Sequence, residues 1–115
     1  MSSQSSTSIG GAGLVVNASM AVPKEILVKA GVSFLRGEAV RFNTGLTPDA
    51  IDTMTDESQA FAIAVEDYEA SDVDVVREFY VGGVFRKDMI VLPDSTLDID
   101  AVDAAFLATG RIFLI

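Results

Sequence analysis

The side chains able to do chemistry in this chain are carboxylates, because the sequence contains no histidine and no cysteine. That removes the commonest general base, the commonest metal ligand and the most reactive nucleophile together. The acids crowd into one region, with nine between Asp49 and Asp74 and no base among them. Glu66, Asp67, Glu69, Asp72 and Asp74 could offer hard oxygen ligands to calcium, but they lack the regular alternation and pivot glycine of an EF-hand loop. Two carboxylates could also hydrolyse a glycosidic bond, yet acids are in surplus everywhere and their presence selects no pair. Gly10, Gly11 and Gly13 form no phosphate cradle, since no strand precedes them. The residues therefore predict a protein that is not an enzyme and uses no metal or cofactor. The acidic stretch reads as a solvated loop that keeps apolar surface away from wrong contacts.

A chain of 115 residues fits one domain. Counting glycine and leaving out tyrosine, 64 residues are apolar, above the share of roughly 45 to 50% usual in soluble domains. The same chain carries 17 acids against 8 bases, a net charge of −9. Two readings fit: an oily monomer, or a chain that hides apolar surface against copies of itself or a partner, and the second is favoured. The negative charge repels phosphate backbones, so no direct nucleic-acid contact is expected. The first base is Lys24, and Ile9 to Val22 is broken by glycines, Asn17 and Ser19. Neither a secretory signal nor a membrane segment is expected, and the protein reads as soluble and made in the cytoplasm.

The elements that must position these residues are mostly strands. Val73 to Val81 alternates with strand periodicity, Gly82 and Gly83 supply two positions suited to a tight turn, and Val84 to Pro93 reads as a return arm, so the block predicts a hairpin. Further strands are expected over Pro23 to Val32, over Glu38 to Phe42 after a turn at Arg36-Gly37, and over the apolar run Ala60 to Val65. Asp49 to Glu57 reads as a polar connection. Asp98 or Asp100 can cap a helix that runs to Thr109 with Ile99, Val102 and Phe106 on one face and Gly110 as its left-handed stop. Arg111 to Ile115 reads as a docked terminal strand. Residues 1 to 13 are low in complexity and read as a mobile leader. The segment behind it, Leu14, Val15, Val16, Asn17, Ala18, Ser19, Met20, Ala21 and Val22, is β-prone. It is either the domain's own first strand or a strand donor for the sheet edge of a partner.

The order and spacing of several pieces are similar to one known family. Phe79, Tyr80, Gly82, Gly83, Phe85 and Arg86, followed by Asp88, an apolar run and Pro93, resemble the head decoration proteins of lambda-type tailed phages. Leu35 to Val40, Ala105-Phe106, Thr109 and the apolar end Ile112 to Ile115 extend the resemblance over roughly residues 26 to 115. Leu92 departs from it, standing where the best-known member has a tryptophan. The resemblance implies a mainly β, compact β-clip or β-tulip-like domain over residues 23–115, with one short helix near the C-terminus and a flexible N-terminal arm over residues 1–22. It also implies a function: a homotrimer on the outer surface of the virion that cements the expanded capsid. In this family the arm adds a strand to the major capsid protein, which makes Leu14 to Val22 the expected capsid contact. The alternative is a small β-rich ligand-binding or regulatory module without catalytic activity.

Overall fold

The computed structural model describes residues 13–16 and 20–115, a mainly β molecule with a single α-helix among those residues. Six strands follow in order: β1 (Val22–Val28), β2 (Ala39–Asn43), β3 (Ala50–Thr53), β4 (Ala62–Ala64), β5 (Val75–Phe85) and β6 (Ile112–Leu114). Short 3₁₀ turns lie at Glu57–Gln59 and Lys87–Met89, and the helix α1 spans Ile99–Thr109. The neighbours run β1-β3-β2-β4-β5, and β5 pairs back onto β1, so five strands close into a barrel. Closure leaves those five strands without an unpaired edge. β6 is the sixth strand, added parallel to the far end of β5.

β5 is the element on which the rest depends. Its first part pairs antiparallel with β1, from Val28↔Val75 to Val22↔Gly82, and with β4 at Ile63↔Tyr80. Its last three residues, Gly83 to Phe85, leave the barrel and pair with Ile112 to Leu114 of β6. On the other side of that end, Val15 bridges Phe85 and the Val16 amide donates to the Val84 carbonyl at 3.0 Å. One strand thus serves two sheets. Consequently there are two cores. Ile26, Val28, Phe34, Val40, Ile51, Ala62, Ala64 and Phe79 fill the barrel. Ala39, Ile63, Phe85, Val102, Phe106, Ile112 and Leu14 pack between the barrel wall and α1.

β4 shows why a continuous apolar run was needed here. Ala62 and Ala64 face the barrel interior while Ile63 faces the helix side, and all three are fully buried. The small alanines leave room for the Phe34 and Phe79 rings, whose centroids lie 5.1 Å apart. A fully buried phenylalanine of this kind contributes about 1.5–3 kcal/mol through burial alone. The helix is bounded as its sequence dictates. The Asp98 carboxylate accepts from the Asp100 amide at the N-cap, and Gly110 stops the helix at φ 73°. In turn the Asp98 amide donates to the Glu57 carboxylate at 2.9 Å, which ties α1 to the 3₁₀ turn before β4.

Three expectations need correction. No turn exists at Gly82-Gly83, because β5 runs unbroken from Val75 to Phe85. These glycines are required by close approach. A Cβ on Gly83 would sit 3.0 Å from Ala21 Cα, and one on Gly82 would sit 3.3 Å from Val22 Cγ2. Val84 to Pro93 is accordingly no return arm, and beyond Phe85 the chain makes a 3₁₀ turn and an isolated bridge from Val91 to Glu38. The polar connection from Asp49 to Glu57 contains a strand, β3, with Ala50 and Ile51 buried.

The third correction concerns the arm of residues 1–22. Leu14 is only 1% exposed and lies in the core beneath α1, with its carbonyl accepting from the Arg86 amide at 2.8 Å. Val22 already belongs to β1. Residues 1–12 and the stretch Asn17, Ala18, Ser19 lie outside the described residues.

Candidate assembly surface

The acids come first, since chemistry would have to start from them. Among the described residues no group of three or more acids is placed to hold a metal ion. Several instead act as acceptors for backbone amides. Asp67 takes the Arg36 amide at 2.7 Å and Asp74 takes the Ala30 amide at 2.9 Å, so the acidic loop between β4 and β5 is tied to the neighbouring turns. Asp56 holds the Ser58 amide and hydroxyl, which keeps its carboxyl below the usual carboxylate range. The buried acid is Glu38, which accepts from the Leu35 amide at 3.1 Å. Burial pushes its carboxyl above the ordinary value, and the Leu35 hydrogen bond opposes that only in part. It shares a shallow depression with Asp67, Glu69 and Tyr68.

The residues singled out in the sequence have scattered roles. Phe79 and Phe85 are fully buried, one in each core, and Tyr80 packs half-buried against Phe85 with centroids 5.3 Å apart. Arg86 is exposed and pairs with Asp88 at 3.2 Å. Pro93 lies half-buried in the loop before α1. These residues stabilise the fold and leave no constellation pointing at a ligand.

Apolar side chains that do reach solvent gather elsewhere. In the sheet formed by residues 14–16, the end of β5 and β6, the inner face carries Leu14, Phe85 and Ile112 against α1. The outer face carries Val16, Val84 and Phe113 side by side, because Val84 pairs with Phe113 in register and with Val16 by hydrogen bond. An outer face normally carries polar side chains. Here Val16 is 46% exposed, Phe113 41%, and the adjoining Met20 and Val22 54% and 51%. The shallow apolar groove of Met20, Val22, Val81, Val84 and Phe113 runs past Arg111 into a second depression that holds Phe42 and Phe61. Arg111 is held over the Phe61 ring at 5.2 Å, and Phe61 stacks on Phe42 at 5.4 Å.

Sequence reasoning missed this surface as a unit. Met20 and Val22 were expected in a donor segment, Phe113 in a buried terminal strand, and Val84 beyond a turn. Only the unbroken course of β5 brings them together. The signal that existed was compositional, an apolar share above that usual in soluble domains. Among the described residues no helix is long and apolar enough to cross a membrane. Compared with family models and with curated proteins, the chain matches none.

Proposed function

We propose that the protein decorates a phage capsid: a homotrimer on the outside of the expanded head that holds neighbouring capsomers together. The observation that carries the reading is the pairing of a compact β barrel with a continuous exposed apolar surface on a chain of net charge −9. Such a chain is suited to assembly rather than to turnover. The spacing of Phe79 to Pro93 and of Ala105 to Ile115, similar to that of decoration proteins, supports this kind of assembly. Mechanically, binding the expanded lattice and not its precursor stabilises the expanded state by mass action. Three linked copies turn a weak contact into a strong one through effective concentration.

The arm enters this proposal in altered form. Leu14 to Val16 are engaged in the molecule's own sheet, so donating them to the major capsid protein would withdraw Leu14 from its core. A capsid contact made by the arm therefore does not run through Leu14 to Val16. The test is co-sedimentation of the full chain with expanded and unexpanded phage heads. Binding to expanded heads alone is the expected result. Absence of binding to either would overturn the proposal in favour of a small β-rich ligand-binding or regulatory module.

A further inference from the structure

The geometry points to the outer face built from Val16, Met20, Val22, Val84 and Phe113 as the surface through which copies of this chain meet one another. The inference rests on the reading of the protein as a self-assembling one and adds which face does the assembling.

Charge decides the occupant. The chain carries 8 bases and 17 acids, so contact between two copies is opposed by like charge over most of the surface. The groove at Phe113 and the depression beside it carry no such excess. Together they are lined by two bases, Lys24 and Arg111, and two acids, Glu25 and Asp49. That surface is neutral, which leaves six bases and fifteen acids for the rest of the chain. A strongly basic partner would gain more from the acidic loop between β4 and β5 than from a neutral apolar strip. A second copy, with an excess of acids over the rest of its surface, approaches most easily where no net charge is met. The strip is also firm: β5 pairs on both sides along it, and Arg111 is pinned on Phe61. A preorganised apolar surface loses little freedom when it is covered.

Four purified full-length proteins test this by light scattering coupled to size exclusion: wild type, Phe113→Asp, Val22→Glu and Leu107→Glu. Leu107 is 57% exposed on α1, across the sheet from Phe113, and serves as the control. The expected result is an assembled wild type and an assembled Leu107→Glu, with association of the two groove variants weakened about tenfold or more. Circular dichroism checks that each variant folds. The absence of native cysteine allows a readout that does not depend on disruption. A Val22→Cys thiol should be protected from maleimide in the assembled protein, whereas a Leu107→Cys thiol should label freely. Groove variants that assemble like wild type, or equal labelling at the two sites, would overturn this face. A wild type that is monomeric at every concentration would also overturn it. Binding to expanded heads is measured separately, so decoration could stand where the self-contact fails.

Discussion

At the scale of single residues, Gly83 and Glu38 each carry a local cost that can be measured. Gly83 has φ 131°, and its Cβ position is closed off by Ala21 Cα at 3.0 Å, the Met20 carbonyl at 3.2 Å and the Phe85 ring at 3.2 Å. Gly110 also has positive φ, 73°, but nothing within 4 Å. Gly110→Ala should therefore cost about 1–2 kcal/mol through backbone strain alone. Gly83→Ala should cost more, because strain of about 1–3 kcal/mol is joined by displacement of the chain at Ala21. Urea unfolding of the two variants side by side measures the difference, and equal losses would mean that the crossing at Gly83 is looser than its distances indicate. Glu38 makes a pH prediction. Burial holds its proton more tightly in the folded chain than in the unfolded one. The folded state is therefore unpenalised below the ordinary carboxylate value and loses stability as pH rises through the raised one. Glu38→Gln keeps an oxygen for the Leu35 amide and removes the charge. The variant should melt higher than wild type at neutral pH, and the gap should close in acid, where both side chains are neutral. A gap that persists unchanged into acid would assign the effect to packing.

At the scale of elements, what the sequence reveals depends on whether the determinant is local. The helix was legible, its start to Asp98 or Asp100 and its stop to Gly110, because Asp98 accepts an amide within its own first turn and Gly110 leaves the helical region by itself. Asp98→Ala should cost about 1 kcal/mol of global stability in a chemical melt. β4 was legible because both its faces are buried, and β6 because a terminal run of apolar residues must be docked. The Gly82-Gly83 pair misled because glycine meets two different needs, a tight turn and a close crossing, and only the tertiary position of Ala21 and Val22 distinguishes them. β3 escaped notice because it contributes just two buried side chains, Ala50 and Ile51, between acids. Leu14 escaped for the same reason the donor reading arose: the core cluster it joins is built from residues far along the chain, among them Phe85, Phe106 and Ile112. The element formed by residues 14–16 is nevertheless integral. Leu14→Ala should cost about 2–5 kcal/mol, as for other fully buried leucines, whereas a free arm would show almost no loss. Truncation through Val22 should accordingly impair folding, seen as a lowered or lost thermal transition. Intact folding of that truncation would restore the arm to its original boundary.

At the scale of the whole molecule, the proposed self-association sets two forces against each other, and salt acts on them differently. Net charge of −9 drives copies apart, with a range set by a screening length of about 8 Å at physiological ionic strength. In the proposed self-contact, the apolar strip at Val22, Val84 and Phe113 draws them together through burial, which screening does not weaken. Raising salt should therefore remove the repulsion and leave the attraction, so that the association constant rises between low and physiological ionic strength and then levels off. An interface held by ion pairs between the acidic loop and the bases would respond in the opposite direction, dissociating as salt rises. Sedimentation equilibrium across a salt series distinguishes the two by the sign of the slope. Phe113→Asp adds a charge at the centre of the contact. Its residual association should therefore be weakest at low salt and recover more steeply with ionic strength than that of the wild type. Parallel slopes for the two proteins would place Phe113 outside the contact.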